Sequence, residues 1–163
     1  MVFIVMQTDE GCGEVTLAVE KLRSATVSDL PKVKSFLREN GLPDLGVEEC
    51  VRNFVIAEDE TGSWIGVAGL ETHGNNGLLR SVAVRKHSRG KGVGRALVNA
   101  VLANASARGL TNVYLLTDDA SDYFERLGFR VVDRNDVDAT VKTSVEFTEV
   151  CPDSAIVMRK TIG

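Results

Sequence analysis

One stretch, Leu78-Leu-Arg-Ser-Val-Ala-Val-Arg-Lys-His-Ser-Arg-Gly-Lys-Gly-Val-Gly-Arg-Ala-Leu97, constrains the fold more than any other. It opens as a buried strand, passes through a basic loop with alternating glycines, and enters an apolar helix whose Val93, Leu97, Val101 and Ala105 fall along one face. Such a loop gathers several backbone N–H groups and the positive end of a helix around one point. That point suits a diphosphate. Arg85, Lys86, Arg89, Lys91 and Arg95 stand in it with no acid among them. A solvated loop also tolerates such a run, but the glycines favour an anion site.

The flanking sequence predicts the rest of a sheet. Part of Val15–Arg23 alternates as a first strand. Ser28 and Asp29 are N-cap candidates before a helix carrying Leu30, Val33, Phe36 and Leu37, which should stop at Asn40-Gly41. A short helix is expected over Val47–Arg52, then strands over Phe54–Ala57 and Ser63–Leu70. His73–Gly77, ending in an Asn-Gly pair, reads as a hairpin connection into a fourth strand, Leu78–Val84. A helix from Gly92 to Arg108 precedes a strand over Val113–Leu116, a helix over Ala120–Leu127, a strand over Phe129–Val132, a polar segment, and a last strand over Ala155–Met158. This order implies an α/β fold, a mixed sheet of about seven strands flanked by helices. Residues 15–163 read as one domain, preceded by an irregular arm over 1–14.

The 163-residue length suits a single domain with a substantial core. A net charge of −4 speaks against non-specific nucleic-acid binding. The cysteines at 12, 50 and 151 are odd in number and lack metal-ligand spacing, so neither a disulfide framework nor a metal site is expected. The apolar start Met1–Met6 is too short for a signal segment, and no run reaches membrane-spanning length. These features lead to the expectation of a reduced, cytoplasmic protein.

The glycine loop fits neither of two other phosphate-binding patterns. A Walker A loop needs Gly-x4-Gly-Lys followed by Ser or Thr. A dinucleotide fingerprint starting at Gly90 and Gly92 meets Arg95 where its last glycine belongs. The spacing Arg89-x-x-Gly92-x-Gly94 instead resembles the acetyl-coenzyme A signature of the GNAT acyltransferases. Ala120-Ser-Asp-Tyr-Phe-Glu-Arg-Leu-Gly-Phe129 resembles the second signature of that family, Ala-x-x-Leu-Tyr-x-x-x-Gly-Phe. The element order over roughly 20–160 agrees. Leu78–Val84, Tyr114–Thr117 with Asp122–Phe129, and Glu146–Ala155 further resemble the arsenic-resistance N-acetyltransferases and, more distantly, the acetyltransferase domain of N-acetylglutamate synthases.

The resemblance implies a GNAT fold splayed between strands four and five, with acetyl-CoA as co-substrate. Val82, Ala83 and Val84 would line it from strand four, Arg89, Gly90, Lys91, Gly92, Val93, Gly94 and Arg95 from the loop and helix, and Thr117 and Phe124 from the second signature. A bulge in strand four would free main-chain N–H groups at Val82 and Val84, and Val84 would serve as an oxyanion donor. Phe124 occupies the place of the tyrosine that protonates the thiolate in many members, and Thr117 that of a frequent Asn. Tyr123 lies about 100° away around the helix, so no tyrosine acid is assigned. A thiol of pKa ~8.5 leaves adequately without one.

Arg80 interrupts the apolar run of strand four. It either clamps an anionic group of the acceptor or pairs internally with Glu71. Glu71, at the end of strand three, is the candidate to receive the amine proton, the other reading being an exposed strand-end acid. An α-amino group of pKa ~8 needs no strong base, which favours an amino-acid-type acceptor. His73 and His87 fall in turns and receive no role.

The resulting expectation is an N-acetyltransferase moving an acetyl group to a small amino-acid-like amine by direct transfer. The alternatives are a non-catalytic acyl-CoA-binding module and acetylation of a protein or peptide amine. Expected partners are the small-molecule acceptor and a second copy of the chain in a homodimer, with no nucleic acid and no membrane.

Overall fold

The structure is a computed structural model that describes residues 21–150 and 153–163. The arm over 1–14, residues 15–20 of the expected first strand, Cys12 and Cys151 lie outside the described residues. Seven strands form one sheet: β1 (Lys21–Ser24), β2 (Val55–Glu58), β3 (Trp64–His73), β4 (Asn76–Val84), β5 (Asn112–Thr117), β6 (Arg130–Val132) and β7 (Ile156–Thr161). Their spatial order is β1-β2-β3-β4-β5-β7-β6, and β4 and β5 are parallel while the other pairs are antiparallel.

Among the described residues four helices cover the sheet: α1 (Leu30–Glu39), α2 (Val47–Cys50), α3 (Val93–Ala107) and α4 (Ser121–Arg126). Val33, Phe36 and Leu37 give α1 one buried stripe, and the helix closes where Leu42 N–H reaches back to Leu37 O at 2.9 Å. The expected helix over 47–52 is shorter, because a single 3-10 turn at Val51–Asn53 replaces its second half. On the other side, Val93, Leu97, Val98, Val101, Leu102 and Ala105 of α3 pack with Ala120, Phe124 and Phe129 around α4 over β4, β5 and β7. Apolar side chains on both faces bury the middle of the sheet, which is why β4 is apolar nearly throughout.

The β3–β4 hairpin turns at Gly74 and Asn75, with His73 paired to Asn76, rather than at the Asn76-Gly77 dipeptide. Gly74 supplies the positive φ (62°) that the turn requires. Gly77 serves packing instead, since a Cβ there would sit 2.8 Å from Leu70 Cδ1. Strand β3 therefore runs three residues beyond its expected end at Leu70.

The polar segment after β6 is folded. It makes turns at Arg134–Asp136, Val141–Thr143 and Glu146–Val150, and it lays Val137 and Val141 against Leu78, Tyr114 and Leu116 on the face opposite α3. No described helix is long and apolar enough to cross a membrane.

Candidate active site

Strands β4 and β5 pair only from Asn76–Leu78 to Asn112–Tyr114. Beyond that they part, and β5 continues alongside β7. A bulge shapes the free half of β4. Val67 faces Ala83 and Gly69 faces Arg80, so Ser81 and Val82 together oppose Ala68. Ser81 takes the left-handed conformation, φ 56°, and is the one described non-glycine residue to do so.

The extra residue reverses the alternation. Arg80 packs on the α1/α2 face, yet Val82 and Val84 join the α3 cluster. In regular pleat all three would share a face. Arg85 N–H donates to Ile65 O across β3 at 2.8 Å. By antiparallel alternation Ala83 also bonds toward β3, and the N–H of Val84 points into the gap on the β5 side.

The glycine loop closes one end of this gap. Gly90 and Gly92 both have positive φ, 74° and 80°, and a Cβ on Gly90 would meet nothing within 4 Å. Gly92 caps α3, and the first intrahelical bond runs from Ala96 N–H to Gly92 O at 3.0 Å. The N–H groups of the first turn, at Val93, Gly94 and Arg95, are therefore without an intrahelical acceptor. Arg89 folds back, its Nε donating to Val84 O at 2.9 Å. Lys91 and Arg95 are exposed. Open glycine backbone, unspent amide donors and two exposed cations fit a diphosphate.

On the opposite face a charged cluster surrounds Arg80, which is completely buried. Its Nη1 donates to Glu71 Oε2 at 2.7 Å, its Nη2 to Leu45 O at 2.6 Å, and its Nε to Ser81 Oγ at 3.1 Å; Glu146 Oε1 lies 2.9 Å from Nη2. Of the two roles expected for Arg80, the ion pair with Glu71 is formed. Glu71 Oε1 also meets His73 Nε2 at 2.9 Å. Burial pushes the Glu71 carboxyl up, but hydrogen bonds from His73 and Ser144 and the charge of Arg80 outweigh it and hold the group below the usual carboxylate range. His73 is thus a half-buried partner of Glu71 rather than a turn histidine, because β3 extends far enough to place residues 71 and 73 on one face.

Residues 45, 46, 144 and 146 completed this cluster without being anticipated. Gly46 has φ 80°, and a Cβ there would lie 2.8 Å from Val145 Cγ2 and 3.2 Å from Arg80 Nη1. The sequence signal is Glu146 at the head of the Glu146–Ala155 segment, which stands out for its resemblance but gives the acid no role.

Thr117 and Phe124 are both fully buried. Thr117 Oγ1 accepts from Ala120 N–H at 3.1 Å, which fastens the entry to α4 to the end of β5. Phe124 packs edge-on against Phe129 and Tyr123, with centroids 5.6 and 5.2 Å away. The buried Tyr123 hydroxyl has no hydrogen-bond partner among the described residues, and burial pushes it up to about 12. Cys50, the last residue of α2, is buried, and burial likewise raises its thiol to about 12, which keeps it protonated.

Residues 51–131 match the family described as the acetyltransferase (GNAT) domain. An amino-acid acetyltransferase of Mycobacterium tuberculosis is 31% identical over 141 residues, 80% of this chain and 76% of that protein. The crystal structure of Rv2747 from the same organism, in complex with CoA and NLQ, superposes with a TM-score of 0.72 at 26% identity over 86% of this chain and 98% of that one. N-acetylglutamate synthase from Neisseria gonorrhoeae, complexed with CoA and N-acetyl-glutamate, shares the fold (TM-score 0.74, 19% identity) over 88% of this chain but only 35% of that longer protein.

Proposed function

The chain belongs to the GNAT acetyltransferases, and from that membership we propose that it moves the acetyl group of acetyl-CoA directly to the amine of a small, acidic amino-acid-like acceptor. The activity itself, acetyl-CoA-dependent acetyl transfer, follows from the family; acceptor and residue roles are our reading. A single acetyltransferase domain over 15–163 carries them. The observation that bears most weight is the parting of β4 from β5 beside the glycine turn. It supports a slot with main-chain donors whose outer end suits a diphosphate.

In this reading the amides of Gly90 to Arg95, with Arg89, Lys91 and Arg95 adding charge, hold the diphosphate. The pantetheine arm runs along Val82, Ala83 and Val84, with Thr117 and Phe124 forming the opposite wall. The N–H of Val84 meets the thioester carbonyl and strengthens its bond as the oxyanion develops. The acceptor enters from the α1/α2 face, where Arg80, Glu71 and Glu146 lie. Glu71 takes up the proton of the incoming ammonium group, directly or through water. A guanidinium carries five N–H groups, and the one of Arg80 left over by Glu71, Glu146, Ser81 and Leu45, on Nη1, meets the acceptor's anionic group. The thiolate leaves without a protein acid, since Phe124 stands where one would be.

The acidic amino-acid class is supported by the related amino-acid acetyltransferase of Mycobacterium tuberculosis and by Arg80. The likeness to arsenic-resistance N-acetyltransferases extends the class to arsenical and phosphinate analogues of glutamate. Release of free thiol from acetyl-CoA, followed with glutamate, other amino acids, these analogues, polyamines and short peptides, tests the reading. Turnover with acidic amino acids or their analogues is expected. Turnover confined to peptides or polyamines contradicts it, and so does binding of CoA without turnover of any acceptor.

A further inference from the structure

Transfer to an ammonium group does not balance within the site. The acceptor nitrogen begins with three protons and ends, as the amide, with one. One of the two lost protons ends on the thiol of CoA. The other must leave the protein in every cycle.

The structure assigns an outlet for it. Resting on the reading of Glu71 as the first proton acceptor, we infer that His73 is the second member of a relay, taking the amine proton from Glu71 and delivering it to solvent. Two hydrogen bonds run in series through Glu71, one from Arg80 Nη1 to Oε2 at 2.7 Å and one between Oε1 and His73 Nε2 at 2.9 Å. They lead outward, with side-chain exposure rising from 1% at Arg80 to 13% at Glu71 and 17% at His73. The backbone of β3 sets this order, because residues 71 and 73 stand on one face at the pleat's period of two.

A carboxylate held by Arg80 and Ser144 is a poor final resting place for a proton, since both partners favour its ionised form. In the step itself a bond from the amine nitrogen to hydrogen breaks and an O–H bond forms on Glu71. With the ring as its Nδ1–H tautomer, which leaves Nε2 free to accept, that bond then breaks as an N–H bond forms on His73 Nε2, and the imidazolium gives a proton to water. The charged and titratable groups around the ring are Glu71 on β3, Arg80 on β4 and Glu146 on the segment beneath them. Asp138 is held by Thr140 and Asn76, and Thr140 Oγ1 in turn reaches His73 O at 3.4 Å.

The test is His73→Gln, which keeps a side-chain N–H for Glu71 but cannot carry a proton, beside His73→Ala, which leaves room for added imidazole. A relay predicts that kcat falls at least about tenfold in both, the lower end of what a positioned proton acceptor contributes. It further predicts an acceptor KM near that of the wild type, and recovery of kcat in the Ala variant as imidazole buffer is raised. Calorimetric CoA affinity equal to the wild type's reports an intact fold. Wild-type kcat in His73→Gln across neutral pH overturns the relay, as does a loss that imidazole does not restore. A wild-type protein that acetylates no amino acid overturns the function and the relay with it.

Discussion

Arg80 concentrates more structural obligation than any other residue. Its guanidinium ties β4 to Glu71 of β3, to the loop before α2 through Leu45 O, and to Glu146. Breaking a buried ion pair from one side leaves an uncompensated charge and costs about 3–5 kcal/mol. Arg80→Leu strands two carboxylates, so a loss of that size in urea unfolding is expected, with a raised KM for acidic acceptors in whatever protein remains folded. An unfolding midpoint equal to the wild type's would contradict the role. Glu71 provides a second check, in pH. Its carboxyl is lower in the folded protein than in the unfolded chain, so its stabilisation is complete above the ordinary carboxylate range and is lost as pH falls through the folded value. The wild type is therefore expected to lose stability on acidification more steeply than Glu71→Gln, and parallel curves of unfolding midpoint against pH would contradict this. Arg80 was visible in the sequence as a cation inside an apolar run. Glu146 and Leu45 were not, because their positions follow from how a segment without periodicity folds back on the sheet.

Among the elements, the bulged half of β4 decides whether the slot exists. Ser81 holds φ at 56°, a conformation costly for a β-branched side chain. Ser81→Val is expected to destabilise the protein by about 1–3 kcal/mol and to lower kcat more than CoA affinity, since the amides of Val82 and Val84 are displaced while the glycine turn is untouched. Equal kcat in this variant, measured by thiol release, would contradict the assignment of those amides. The elements themselves were largely legible. The periodicity of Val33, Phe36 and Leu37 and of the α3 stripe, with glycines at the helix ends, marked the helices within a residue or two. The hairpin turn was misplaced because Asn76-Gly77 is a favoured turn dipeptide, whereas Gly77 is needed where a Cβ would strike Leu70. That is a tertiary requirement no local pattern reports. The extra reach of β3 that follows is what turns His73 from a loop residue into a partner of Glu71.

At the scale of the whole molecule, three residue pairs join the two halves of the sheet across β4 and β5. In the proposed reading the bound co-substrate would replace the missing ladder along the remainder, which links occupancy to stability: ligand at a hundred times its Kd adds about 2.7 kcal/mol. Hydrogen exchange of the backbone amides, with and without CoA, examines this directly. CoA is predicted to slow exchange at Val82 and Val84 and across Gly90 to Arg95, leaving the β1–β2 edge unchanged. Protection that appears elsewhere, or no protection at the glycine turn under conditions where CoA is bound, would contradict the account at its foundation.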